Sequence, residues 1–187
     1  LYEILDIVEY KIWNPGKRRQ EVFFDRDYNS LIDLYSYGHD IEAAWLINRT
    51  TDILGDEAIK SRMDVITRAM ADEVYKTAFR SDRLPAEEEN GVVKEQYDWW
   101  VQAECVNGFL DAYQRDESHR EYLEAAEKTW KYIEDKIIDK REGSEWLSYV
   151  TEDGTPGKKP IVEPWKCPYH NGRMCIEVIK RGRDLDI

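Results

Sequence analysis

The stretch SYGHDIEAAWLI, from Ser36 to Ile47, predicts a helix that is apolar on every side and therefore has to lie in the interior of the protein. Its first turn carries His39 and Glu42, which are three residues apart and so share one face. A carboxylate within reach of an imidazole fixes its tautomer and tunes its basicity near neutral pH. The alternative interpretation is a helix cap with a hydrogen-bonded core histidine.

The composition argues against several classes of protein. A hydrophobic content of 42%, with seven Trp and twelve Tyr, excludes disorder, and a net charge of −12 argues against a nucleic-acid partner. No apolar run reaches the length of a membrane span, so no membrane partner is expected. The three cysteines (Cys105, Cys167 and Cys175) have no metal-ligand spacing, and we expect reduced thiols in a cytoplasmic protein.

Two kinds of helix alternate outside this stretch. Apolar helices are predicted at 39–54, at 97–113 and from His170 onwards, and amphipathic helices at 56–79 and 118–138. A long loop with short strand-like stretches precedes each apolar helix. This alternation predicts an all-α fold of two concentric layers, with about three pairs of inner and outer helices.

The ends of the chain suggest that more protein belongs to it. It begins with Leu1, not Met, and residues 1–13 already have the apolar spacing of a helix. We therefore expect residues 1–187 to form a single domain that is a fragment of a longer protein.

The long loops all enter inner helices at their N-termini, so we expect the functional site at that end of the ring. His39 and His170 occupy equivalent positions in different repeats and are expected to face one cavity, whereas His119 is predicted to be a surface residue. Two histidines poised near neutral pH suit the removal and return of a proton at carbon. A metal site is the competing use, but His39, Asp40, Glu42 and His170 match no metal-ligand spacing, so no metal is expected.

Candidate substrate-binding residues are predicted at the same end. Trp100 and Glu104 are four residues apart on one helix face and would combine a stacking surface with a hydrogen-bond acceptor. Trp165 lies in a segment made rigid by two prolines. The complete set is Tyr37, Trp99, Trp100, Glu104 and Trp165. The sequence leaves open which of the two adjacent tryptophans faces the substrate and which is core.

Three segments in order, SYGHDIEAAWL, YDWWVQAECVNGF and PWKCPYHNGRMCIE, closely resemble signature segments of cellobiose 2-epimerases in the N-acylglucosamine 2-epimerase superfamily. The resemblance implies an (α/α)6 barrel that epimerises the reducing-end glucose of β-1,4-linked disaccharides at C2, through an enediol and without a cofactor. It implies that His39 and His170 are the general acid/base pair and that Glu42 partners His39. It also implies that Trp165 and one of Trp99 or Trp100 pack against the sugars.

Members of that family are roughly twice as long, so the resemblance implies that this chain is the C-terminal half of the barrel. The N-terminal half is expected to carry another histidine, for ring opening, and an arginine that holds the enediolate. We therefore expect the chain alone to be inactive. Its two open flanks are expected to expose five apolar residues, namely Leu5, Val8, Met174, Ile176 and Val178.

Other functions are compatible with the same residues. One is a monosaccharide aldose–ketose isomerase or an N-acylglucosamine 2-epimerase of the same fold. Another is glycoside hydrolysis with Glu42 and Glu104 as the carboxylate pair. The last is a non-catalytic helical module that binds a sugar or a partner. Exchange of solvent hydrogen into C2 of the sugar separates an epimerase from a binding module.

Overall fold

Six α-helices dominate the part of the chain that the computed structural model describes, which is residues 1–184, with side chains for residues 1–182. They are α1 (Tyr2–Ile7), α2 (Tyr37–Leu54), α3 (Glu57–Thr77), α4 (Trp99–Arg115), α5 (Arg120–Tyr132) and α6 (Tyr169–Asp184). Short π-helical segments continue α1 over Val8–Ile12 and α5 over Ile133–Ile137.

The helices form two layers. In the inner layer α4 packs against α2 on one side and α6 on the other, and in the outer layer α3 lies along α2 and α5 along α4. The predicted alternation of inner and outer helices is therefore confirmed.

The boundary between the first inner helix and its outer partner follows the local sequence. Gly55 ends α2 in the left-handed conformation, at a φ of 66°, where glycine carries no Cβ penalty. The next residue, Asp56, caps α3 by accepting hydrogen bonds from the backbone N–H groups of Ala58 and Ile59. These two residues fix the tight turn that lays α3 back along α2.

The interior consists of three apolar clusters. The first lies among α2, α3, α4 and α5 and contains stacked and edge-on aromatic rings, with Phe109 and Tyr122 stacked at 5.7 Å between centroids. The second joins α4 to α6 and to the π-helical segment after α5. The third packs α1 against α2 and α3 through Leu5 and Val8.

The third cluster corrects the predicted open flanks. Leu5 and Val8 were expected to be exposed, but α2 and α3 cover both of them, and Met174 is buried against α4. On α6 the exposed apolar residues are Ile176 and Ile179, while Val178 is partly buried. The difference arises because α1 folds back over the first helix pair.

Seven short strands accompany the helices: β1 (Trp13–Asn14), β2 (Arg19–Gln20), β3 (Leu34–Tyr35), β4 (Glu87–Glu89), β5 (Val92–Lys94), β6 (Gln96–Asp98) and β7 (Tyr149–Thr151). All pairs are antiparallel. The strand β3 leads into α2, and β6 leads directly into α4, so these strands lie at the N-terminal end of the inner helices as predicted.

Two strands of one of these sheets lie in the long loop before α4, where short strand-like stretches were predicted. The acidic stretch from Glu87 forms the first strand of a β4–β5 hairpin, and β4 is the central strand of the sheet because it also pairs with β3. Asn90 and Gly91 make the turn with positive φ angles of 50° and 78°. In the described part of the chain, no helix is long and apolar enough to span a membrane.

Candidate active site

His39 and His170 approach the same indole ring, that of Trp100. His39 lies in the first turn of α2 and His170 in the first turn of α6, while Trp100 lies in the first turn of α4 between them. The centroid of the Trp100 ring is 4.8 Å from that of His39 and 5.4 Å from that of His170. The three inner helices therefore bring together one aromatic surface and two imidazoles at their N-termini.

His170 is held by a buried carboxylate. Its Nδ1 atom lies 2.8 Å from Oε1 of Glu104, a residue that is completely buried. A carboxylate accepts hydrogen bonds only, so Nδ1 carries the proton and Nε2 presents its lone pair. The second carboxylate oxygen accepts from the indole N–H of Trp45 at 2.9 Å, which fixes the direction of the Glu104 side chain.

Arg173, one helical turn after His170, supplies the countercharge. Its guanidinium donates to Oε1 of Glu104 at 2.7 Å and also to Glu42. The guanidinium carbon lies 5.0 Å from the centre of the Trp45 ring. Because Glu104 is desolvated, this paired cation is what makes its negative charge tolerable in the interior.

The surroundings of His39 are different. Its Nδ1 atom lies 2.6 Å from the Ser36 hydroxyl oxygen, and the residue as a whole is exposed at the N-terminal end of α2. The protein around the ring removes water from it and lowers its pKa, while the negative charge of Glu42 acts in the opposite direction. His39 is therefore held by a neutral partner.

The geometry does not support the predicted pairing of Glu42 with His39. The Glu42 carboxylate is bound by Arg173 instead and lies 3.9 Å from Nδ1 of His170. The three-residue spacing does put Glu42 on the face of His39, but a guanidinium attracts a carboxylate more strongly than a neutral imidazole does. Glu42 acts on His39 through its charge only.

The two adjacent tryptophans have different positions. Trp99 lies in the apolar cluster between α4 and α6, with the Lys166 ammonium 5.6 Å from its ring centre. Trp100 is the one that touches both histidines. Its ring occupies the space beside Gly38, where a Cβ atom would lie 2.6 Å from Cη2 of the indole.

The other predicted substrate-binding residues are dispersed. Trp165 is 88% exposed in the segment before α6. Tyr37 is buried in the core, and its hydroxyl donates to Glu88 at 3.1 Å, so its side chain leaves no surface for a ligand. Glu104 was expected to accept from a sugar beside Trp100, but its oxygens are already bound by His170, Arg173 and Trp45.

Three residues of this cluster could act as ligands of a metal ion. Ligand atoms of Glu42, Glu104 and His170 lie within 4.8 Å of one another. The Arg173 guanidinium is bound to both carboxylates, so the protein itself supplies positive charge at this position. The guanidinium therefore offsets one of the two negative charges and is already bound to the carboxylate oxygens that would hold a cation.

Sequence reasoning missed three residues of this cluster: Ser36, Trp45 and Arg173. Each had a detectable signal, since Ser36 is three residues before His39 and Arg173 three after His170, the spacing of neighbours on a helix. Trp45 lies three residues after Glu42 in the opening stretch. All three are polar contacts to a histidine or to its carboxylate partner.

Two cavities of about 530 and 580 Å³ lie elsewhere. The first is lined by α3, α4 and α5 on the outer side. The second is lined by charged residues at the C-terminal end of the inner helices, including Arg49, Glu177 and Arg181. Neither cavity is lined by His39, His170, Trp100 or the carboxylates beside them.

Known proteins are similar to this chain in sequence and in fold. The cellobiose 2-epimerase of Eubacterium cellulosolvens is 49% identical over 181 residues, which are 97% of this chain and 44% of that protein. The crystal structure of a sugar epimerase from a ruminal bacterium matches with a TM-score of 0.95 at 44% identity, over 97% of this chain and 47% of the other. The structure of cellobiose 2-epimerase from Bacillus thermoamylovorans gives a TM-score of 0.92 at 38% identity, with coverages of 96% and 46%.

The chain thus spans about half the length of the relatives it matches, and its fold is about half of an (α/α)6 barrel. The sequence profile described as N-acylglucosamine 2-epimerase (GlcNAc 2-epimerase) matches residues 4–172, and the chain therefore belongs to that family.

Proposed function

We propose that this chain contributes the proton-transfer half of an enzyme that epimerises the reducing-end glucose of β-1,4-linked disaccharides, such as cellobiose and lactose, to mannose at C2. The observation that carries this proposal is the placement of His39 and His170 beside one indole ring, that of Trp100, at centroid distances of 4.8 and 5.4 Å. Membership of the N-acylglucosamine 2-epimerase family supports it.

The chemistry needs a base on one face of C2 and an acid on the other. After the sugar ring opens, one imidazole Nε2 takes the C2 proton, and the bonding electrons remain on the substrate as an enediolate. Rotation about C2–C3 then presents the opposite face, and the other histidine, in its imidazolium form, returns a proton to C2. Each histidine keeps its Nδ1 bound to a protein partner throughout, so that Nε2 is the reacting atom in both.

In this proposal, tryptophan rings position the sugar. The Trp100 ring lies beside both histidines, and the exposed Trp165 offers a flat surface shortly before His170. Glu42 belongs to the site through Arg173, and its negative charge reaches both imidazoles. The proposed reaction uses no cofactor, because proton transfer between carbon and imidazole needs none.

We propose that residues 1–187 form one domain and that the complementary half of the barrel is its partner. That half would contribute a further histidine for ring opening and an arginine for the enediolate. The exposed His39 and the exposed Ile176 and Ile179 on α6 support this. We propose that the chain alone is inactive. The free thiols of Cys105, Cys167 and Cys175 support a cytoplasmic location.

The alternatives differ in how well this geometry supports them. Glycoside hydrolysis would need Glu104 to reach the substrate, and its complete burial beneath Trp45 and Arg173 argues against that role. A monosaccharide isomerase or an N-acylglucosamine 2-epimerase would use the same two histidines. A non-catalytic sugar- or partner-binding module would give no reason for two imidazoles to share one indole.

Incubation of the natural protein carrying this chain with cellobiose in D₂O tests the proposal. We expect a mannose unit at the reducing end, one deuterium at C2 and no change in the number of reducing ends. His119→Ala is the matched control, since His119 is exposed and bonds only to nearby acidic residues of its own segment in the described structure. Release of glucose would establish hydrolysis instead, and binding without deuterium uptake would establish a non-catalytic module.

A further inference from the structure

Ser36 occupies the N-cap position of α2 without capping it. A serine in this position normally accepts a hydrogen bond from the backbone N–H two or three residues further on. The Ser36 side chain makes no such bond, and its hydroxyl lies 2.6 Å from Nδ1 of His39. The N-terminus of α2 therefore lacks the stabilising hydrogen bond of an N-cap side chain, and the Ser36 hydroxyl group contacts an imidazole of the candidate site instead.

This hydroxyl is well placed to control the imidazole. Ser36 is only 5% exposed, so its hydroxyl group is held by the surrounding protein, whereas His39 as a whole is exposed. Within residues 1–182, no other side chain forms a hydrogen bond with the His39 ring. The partner of Nδ1 decides which ring nitrogen carries the proton in a neutral histidine.

We propose that Ser36 is the positioning residue of His39: its hydroxyl oxygen accepts the Nδ1 proton and thereby directs the Nε2 lone pair at the substrate. This inference rests on the function proposed above. When Nε2 takes the C2 proton, the Nδ1 proton stays on the ring and remains bonded to Ser36. When the reaction runs backward, the proton on Nε2 returns to C2 and the Nδ1 proton again stays bonded to Ser36. One hydrogen bond therefore serves both directions.

The choice of a hydroxyl has a chemical consequence. Three charged or titratable groups act on the His39 ring from the elements around it: Glu42 of the same helix, Glu87 of β4 and His170 of α6. None of them is hydrogen-bonded to the ring in the described structure. A hydroxyl at Nδ1 fixes the tautomer without adding negative charge, so the imidazolium of His39 gives up its proton more readily than it would beside a carboxylate.

Three substitutions test this inference in the natural protein carrying the chain. Ser36→Ala removes the hydroxyl, Ser36→Thr keeps it, and Ser36→Asp replaces it with a carboxylate that also accepts from Nδ1–H. Ser144→Ala is the matched control, because the Ser144 hydroxyl likewise bonds to a titratable side chain, that of Asp139 at 2.7 Å, away from the histidines.

The first measurement is independent of activity. Nitrogen-15 NMR of the imidazoles reports the tautomer and the pKa of His39, with the signal assigned by its loss in His39→Ala. We expect the Nδ1–H form in the unmodified protein and in Ser36→Thr, and a mixture of tautomers in Ser36→Ala. In Ser36→Asp we expect the Nδ1–H form with the pKa raised by about one pH unit.

The second measurement is the pH dependence of epimerisation. Ser36→Ala should lower kcat by about fivefold with little change in KM, the effect of losing one hydrogen bond. Ser36→Thr should restore kcat, and Ser36→Asp should move the acidic limb of the kcat profile to higher pH. A purely structural N-cap would leave that limb where it is.

The outcomes separate this inference from the proposed function. Unchanged His39 tautomer in folded Ser36→Ala, or an unshifted His39 pKa in Ser36→Asp, would overturn the role of Ser36 whatever the activity. Equal losses of kcat in Ser36→Ala and Ser36→Thr would also overturn it, since only one of them lacks the hydroxyl. If the NMR results hold but no variant or parent epimerises a sugar, then the proposed function is the part that fails.

Discussion

The two histidines occupy equivalent positions in two inner helices, yet their partners differ in charge. His170 is bound to the buried carboxylate of Glu104, which Arg173 and Trp45 hold in place, whereas His39 is bound to the neutral hydroxyl of Ser36. A carboxylate stabilises the positive charge that appears when an imidazole takes a proton, and a hydroxyl does so much less. The repeat thus supplies two similar rings with unequal surroundings, which suits an acid and a base that act on opposite faces of one carbon.

The largest expected effect comes from removing either ring. His39→Ala and His170→Ala should each lower the rate of C2 epimerisation by about 10²- to 10⁴-fold, because general acid/base catalysis contributes that much. Substrate affinity, measured by calorimetry, should change little. Near-normal turnover in either variant would show that the histidine has no part in the mechanism. The difference between the surroundings of His39 and His170 would then have no bearing on catalysis.

The next largest effect tests the two carboxylates near His170. Glu104→Gln should lower kcat by roughly 10- to 100-fold, the usual cost of losing a partner that orients a functional imidazole. Glu42→Gln should cost less, because Glu42 lies 3.9 Å from Nδ1 of His170 and does not hold the ring. Steady-state kinetics of the two variants side by side provide the measurement, and a larger loss in Glu42→Gln would reverse this ranking.

A third effect concerns the carboxylate beside His39, which faces away from the ring. Asp40 accepts hydrogen bonds from the backbone and side chain of Gln20, and burial raises its pKa to about 7. Because the folded state binds this proton more tightly than the unfolded chain does, its contribution to stability is complete at low pH and is lost as the pH rises to 7.

Asp40→Asn should therefore be more stable than the parent at pH 7 by roughly 4 kcal/mol, with the difference shrinking toward pH 4. Denaturant unfolding of both proteins across this range gives the difference directly. Parallel curves at all pH values would mean that Asp40 is ionised in the folded protein, and the surroundings of His39 would then be less neutral than described.

The smallest effect tests the open side of the site near His170. Trp165→Ala should leave the free energy of unfolding within about 0.5 kcal/mol of the parent, since 88% of the residue is exposed. If the indole stacks on the sugar, KM should rise by roughly 2- to 10-fold. A stability loss without a change in KM would show that the ring packs against protein and not substrate.

Much of the architecture was predictable because it depends on local patterns. The apolar stretch around Trp45 and the terminal Gly55 defined α2, and the single stripe of α3 marked it as an outer helix. The equivalence of His39 and His170 followed from the repeat alone. These features depend on residues that are close together in sequence.

The remainder depended on contacts between distant segments. The Glu87–Glu89 strand has low strand propensity, and its pairing with β3 appears only when the chain is folded. Likewise, Glu42 meets Arg173 across 131 residues, which the spacing to His39 concealed. Trp99 and Trp100 point about 100° apart on one helix, and only the packing of α2 and α6 against α4 decides which one reaches the histidines.

Gly38 has a consequence for how the two imidazoles are coupled. The Trp100 indole rests where any side chain at position 38 would lie, and a Cβ there would come within 2.6 Å of it. Because both histidine rings lie against the same indole, a single methyl group at this position would shift two reacting groups together. Position 38 has room for a hydrogen atom only, and altering it would change the proton transfer that we propose for the two histidines, while every charge and hydrogen-bonding group stayed the same.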